Sequence, residues 1–116
     1  MLKKMNTAPQ QAALQLSTKD KVVVSLLKIE LTSDYSDLVE SLHELKHLLG
    51  ASLTEEVAQE TLLSDESAAM QLLCLTLLLP IPDVAAVTIT IFLALSFSQK
   101  YGDLFTAQLM QEETFQ

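Results

Sequence analysis

Two stretches of this chain leave no helical face for water. Residues 68–79 read AAMQLLCLTLLL, ten of the twelve apolar, and residues 84–98 read VAAVTITIFLALSFS, eleven of the fifteen apolar. The polar exceptions in the second run, Thr88, Thr90, Ser96 and Ser98, scatter round the helix axis. Their hydroxyls can bond back to the preceding turn, so they do not demand solvent. Pro80-Ile81-Pro82-Asp83 separates the runs and bends them into a hairpin, over about 66–79 and 83–101. A helix that is apolar on every side must be covered on every side.

The chain has 116 residues. One such helix can be wrapped by the others, but two leave too little polypeptide to cover both. The plain alternative is that the remaining helices suffice. Otherwise part of the surface meets something outside the single chain: an identical subunit in a two-fold homodimer, a different protein or an apolar ligand, or lipid. The interface candidates are Leu75, Leu78, Ile89, Phe92, Leu93 and Phe97. Leu93→Asp is expected to destroy folding or assembly, because a buried charge there has no compensating partner. Lipid ranks behind protein. Fifteen helical residues span about 22 Å and twelve about 18 Å, against roughly 30 Å of hydrocarbon. Asp83 would also fall at mid-membrane, where an ionisable group is costly.

The rest of the chain supports an all-α fold, a compact bundle of five or six helices with the apolar hairpin at its centre or interface. Residues 1–17 read as a flexible N-terminal arm and 18–116 as a single helical domain. Ser17 or Thr18 can cap a helix over 19–31, with Lys21, Ser25 and Lys28 as one polar stripe. Thr32-Ser33-Asp34 is a turn and cap. A helix over 35–49 follows, its core face made by Leu38, Leu42, Leu45 and Leu49, with Gly50 placed for a left-handed C-cap. Ser52-x-x-Glu55 suits a capping box for a helix near 54–63. Ser64 or Asp65 starts the first apolar helix and Asp83 caps the second, which runs to about Gly102. Asp103 opens a last turn or two.

Charge narrows the function. The formal net charge is −8 and there is no Arg. Residues 1–28 sum to +4, residues 29–66 to −9 and residues 67–116 to −3. Nucleic acid is not an expected partner, since that association rests on cations neutralising phosphates. The acidic middle is a solvated face, or a docking surface that steers a basic partner. A lone Cys74 excludes an internal disulfide framework and points to the cytoplasm. Asn6–Gln11 is polar, without the apolar run of a secretion signal.

One segment carries chemistry. His43-Glu44-Leu45-Lys46-His47 matches H-E-x-x-H, and Gly50 extends it to H-E-x-x-H-x-x-G. At this spacing both imidazoles project from one helix face, where they can share a zinc ion. These eight residues resemble the active-site helix of zincin metallopeptidases. The resemblance implies His43 and His47 as zinc ligands and Glu44 as general base. Position 53, where one branch of that family has a third His, is Leu53; another branch would take Glu60 or Glu66 from a following helix. The same residues also have a reading without a metal. With Leu38, Leu42, Leu45 and Leu49 inward, His43, Glu44 and His47 fall on the opposite, solvated face with Glu40.

The leading expectation is a small acidic helical protein-interaction module, non-catalytic and without cofactor, which binds itself or another protein in an adaptor, chaperone or immunity-like role. The zinc-dependent metallopeptidase is the alternative, and a membrane-associated helical hairpin the second alternative.

Overall fold

The computed structural model describes residues 16–64 and 68–112. Among them are six helices and no strand: α1 (Thr18–Leu31), α2 (Tyr35–Gly50), α3 (Glu55–Leu62), α4 (Ala69–Leu77), α5 (Pro82–Ser96) and α6 (Gly102–Met110). Of the arm expected over 1–17, only Leu16 and Ser17 fall within the described residues, as neither Asp65 nor Glu66 does.

The bundle is organised on α2 and α5, which pack against each other. α2 also receives α1 and α3, and α5 receives α4 and α6. The core follows the 3.6-residue period on α2, where Leu38, Leu42, Leu45 and Leu49 are all buried, as is Leu48. Val22, Leu62, Leu73, Val84, Ile91 and Leu95 meet them from the other helices. On α1 the expected polar stripe is interrupted: Lys21 and Lys28 are exposed, but Ser25 is only 2 % exposed and faces the core margin.

Two caps form as expected. The Ser17 hydroxyl accepts the Asp20 N–H at 3.1 Å, and the Asp34 carboxylate accepts the Ser36 and Asp37 N–H groups at 2.8 and 3.4 Å. The end of α2 is built differently. Gly50 is helical and no glycine has positive φ, so there is no left-handed cap. Three donors further along the chain take its last carbonyls. The Ala51 N–H bonds the His47 carbonyl (3.0 Å), the Thr54 hydroxyl the Leu48 carbonyl (2.7 Å) and the Gln59 side-chain amide the Leu49 carbonyl (3.0 Å). Thr54 is spent in this way, and the Ser52–Glu55 capping box is absent from the start of α3.

The two glycines therefore have opposite roles. A Cβ on Gly50 meets nothing within 4 Å. Gly50→Ala is expected to stabilise the protein by about 0.5–1 kcal/mol, through helix propensity and a less free unfolded chain. A Cβ on Gly102 lies 2.8 Å from the Ser96 carbonyl oxygen, because the first turn of α6 rides against the end of α5. Gly102→Ala is expected to cost about 1–3 kcal/mol as the backbones are forced apart. Urea titration of both variants checks the pair.

The apolar helices are shorter than expected. Ser64 donates to the Thr61 carbonyl at the end of α3, and α4 starts only at Ala69, after Ala68 in the left-handed region at φ 52°. Ile81, not Asp83, is the N-cap of α5, and Pro82 takes the first helical position, where its missing N–H is no loss. The Asp83 carboxylate instead accepts the Tyr35 hydroxyl at 2.6 Å, tying the start of α5 to the start of α2. That bond raises the Tyr35 phenol above its ordinary value. α5 ends at Ser96, and a turn through Ser98 leads to Gly102. Between α4 and α5 the Thr76 and Thr88 hydroxyls lie 3.1 Å apart, both buried. Each also faces a carbonyl of its own helix, Leu73 at 2.7 Å and Val84 at 2.9 Å. Two hydroxyl protons thus serve three contacts, and one of the two threonines donates across the helix pair.

Candidate interaction surface

α5 is apolar on its exposed side as well as on its buried one. Its buried residues, Val84, Val87, Thr88, Ile91 and Leu95, include a threonine with no exposure at all. Its exposed residues are Pro82, Asp83, Ala86, Ile89, Leu93 and Ser96, with Phe97 following as the C-cap. All but Asp83, which stands at the margin, fall on one side. Steps of four, three, four and three residues link Pro82, Ala86, Ile89, Leu93 and Ser96, with Phe97 beside the last. Such spacing keeps them within about 60° of one line along the helix. Thr90 and Ser96, polar in the sequence, turn their hydroxyls back onto the Val87 and Leu93 carbonyls at 2.6 and 2.9 Å. Apart from the Ser96 hydroxyl, and Asp83 at its margin, the stripe presents carbon to solvent.

Five of the six residues singled out in the sequence are exposed: Leu75 by 49 %, Leu78 by 56 %, Ile89 by 47 %, Leu93 by 49 % and Phe97 by 80 %. Phe92 is not among them. It is half-buried against the core, its ring 5.5 Å from that of Phe105 on α6 and tilted by 52°. The exposure of Leu93 revises the expectation attached to it, since a charge there reaches water and does not by itself prevent folding. Ile89, Leu93 and Phe97 share the outward stripe of α5. Leu75 lies elsewhere, in a groove of about 650 Å³ between α1 and α4 that is also lined by Val23, Leu27 and Leu72, with Lys19 and Glu30 beside them. Leu78 stands in the connection after α4.

His43, Glu44 and His47 are exposed on the outer face of α2 with Glu40. Glu44 lies 4.0 Å from the Lys28 ammonium. Among the described residues no group of three or more His, Cys, Asp or Glu is arranged to hold a metal ion. Glu60, one of the two suggested third ligands, lies 3.4 Å from the Tyr101 hydroxyl, and Glu66 is outside the described residues. Cys74 is fully buried, and burial pushes its thiol up to about 11, the direction opposite to that of a nucleophile.

Comparison with protein-family models, curated proteins and solved structures finds no match. Among the described residues no helix is long and apolar enough to cross a membrane.

A polar clasp between α2, α3 and the α5–α6 connection has no local signature in the sequence. Gln59 is only 5 % exposed. Its amide donates to the Leu49 carbonyl, and its carbonyl accepts the Ser98 hydroxyl at 2.7 Å. The same Ser98 oxygen accepts the Tyr101 N–H at 3.1 Å. Nearby, the Gln108 amide on α6 donates to the Leu63 carbonyl at 2.7 Å. Lys100 pairs with Glu56, holding that carboxyl below its ordinary value while its own ammonium is raised. The connection that presents Phe97 is thereby fixed to the body of the bundle.

Proposed function

We propose that this protein is a non-catalytic helical interaction module that binds another polypeptide through apolar helix faces its own fold leaves uncovered. The observation that supports this reading is the outward stripe of α5. Phe97 is four-fifths exposed at its end, and Ile89 and Leu93 are half exposed along it. Scattered exposed leucines need no explanation, but an aligned apolar row on one helix is a surface kept for contact. The acidic side chains of α2 and α3, with Glu40, Glu44, Glu55 and Glu60 all exposed, supply a negative field that orients the encounter.

A photo-crosslinking residue placed at Phe97, in cells that make the protein, is expected to give discrete adducts with polypeptide. One placed at Glu40, on the acidic face of α2, is expected to give few. Adducts no more frequent at Phe97 than at Glu40 overturn the proposal. One tightly held zinc per chain in native mass spectra, lost on His43→Ala, would move the function to the other face of α2.

A further inference from the structure

We infer that the occupant of the α5 stripe is the same stripe of a second copy, the two helices packing antiparallel about a two-fold axis. This deepens the interaction reading above and rests on it. Three observations support the choice.

The first is the spacing. Alternating steps of three and four residues from Pro82 to Ser96 average 3.5 residues, the repeat that keeps one helix seam facing another helix over several turns. The occupant is thus a helix with the same repeat, and α5 is such a helix.

The second is size along the stripe. The small residues, Pro82 and Ala86, stand at the start of the row, and the large Phe97 at its end. In an antiparallel pair centred between Ile89 and Leu93, Leu93 of one copy meets the partner's Ile89. Phe97 then meets the partner's Pro82 and Ala86, so bulk fills hollow at both ends. A parallel pair would set Phe97 on Phe97 and leave a gap at Ala86.

The third is charge and area. Each copy has a net charge of −8, yet the stripe contains no Lys, Asp or Glu. Asp83, at its margin, is engaged by Tyr35. The acidic α2 lies on the buried side of α5, so pairing sends its side chains outward and apart. Of the α3 acids, Glu55 and Glu56 border the same hollow as Phe97, where Glu56 is paired with Lys100. A partner chosen by charge would find nothing on this row to choose it by. The exposed parts of the six outward residues come to about 500 Å² per copy, or about 1,000 Å² in the pair, at the lower bound of a specific interface. An interface of this size is expected to associate reversibly, in a concentration-dependent way.

Sedimentation of the full chain over about 5–500 µM tests this. The wild-type mass should climb from one chain to two and stop there. Ile89→Lys and Leu93→Glu should each weaken pairing about tenfold or more while keeping wild-type helicity. An equimolar mixture of those two variants should pair again, since the antiparallel register sets the new lysine against the new glutamate. A wild-type mass fixed at one chain overturns the inference and leaves the wider reading to the crosslinking result. So does a mass that grows beyond two, single variants that still pair, or a mixture that does not.

Discussion

Ile91→Asp is expected to abolish the fold, and Leu93→Asp, two residues along the same helix, to leave it standing. Ile91 has no exposure and packs among the core side chains of the bundle. Removing its aliphatic side chain forfeits about 2–5 kcal/mol in transfer and cavity terms. Among the described residues every Lys is exposed, so none stands in that core to pair with a new carboxylate. An uncompensated buried charge costs about 3–5 kcal/mol more, or the group stays protonated and loses the difference through its shifted pKa. The sum, about 5–10 kcal/mol, equals or exceeds the stability of a domain in the lower half of the usual range of roughly 5–15 kcal/mol. Leu93 is half exposed, so the carboxylate of Leu93→Asp turns into water. Its folding cost is about 1 kcal/mol, from lost partial burial and poorer helix propensity. Circular dichroism at neutral pH should show an unfolded chain in the first case and native helicity in the second. A helical Ile91→Asp chain, or an unfolded Leu93→Asp chain, would mean that the inward and outward sides of α5 are assigned the wrong way round.

That pair of variants also locates what the sequence could and could not convey. On α2 the leucines recur at 38, 42, 45 and 49 between polar residues, and all four are buried. Amphipathic contrast decides the orientation of such a helix before any partner is known. α5 has no contrast. Its apolar residues surround the axis, so its rotation about that axis is set by what α2, α4 and α6 cover. The outcome even inverts the usual rule, with Thr88 inside and Phe97 outside. Thr88 goes inside at little penalty because Val84 and Thr76 satisfy its hydroxyl. The unusual surface was legible as an excess of apolar residues over available cover, and five of the six named side chains are exposed. Phe92 was not separable from them, because its neighbour Phe105 lies in the sequence beyond the connection. Helix ends misled for a similar reason. Gly50 in the right place argues for a local cap, but the carbonyls at the end of α2 are taken by Thr54 and by Gln59, a residue without any local signature.

Gln59→Leu should lower stability by about 2–4 kcal/mol, although it replaces a polar side chain by an apolar one of similar size in a buried position. The amide holds two groups at once. Without it the Leu49 carbonyl loses its donor and the Ser98 hydroxyl its acceptor. The buried Leu49 carbonyl left unsatisfied costs about 1–3 kcal/mol and the part-buried Ser98 hydroxyl adds a smaller loss, together more than the small gain from burying a leucine there. Gln59→Glu distinguishes this account from a loss of packing. At neutral pH the carboxylate keeps an acceptor for Ser98 but turns negative charge on the Leu49 carbonyl. Once protonated, it donates to that carbonyl as the amide does. Burial places the folded pKa of this carboxyl above its unfolded value, near 4.3. The sign follows: its stabilising form is fully present below about pH 4.3 and is lost as pH rises through the raised folded pKa. Relative to wild type, Gln59→Glu should therefore recover stability in urea titrations from pH 8 to pH 5, whereas the deficit of Gln59→Leu stays constant. A deficit in Gln59→Glu that does not change with pH would show that the Leu49 carbonyl is satisfied by something other than this side chain.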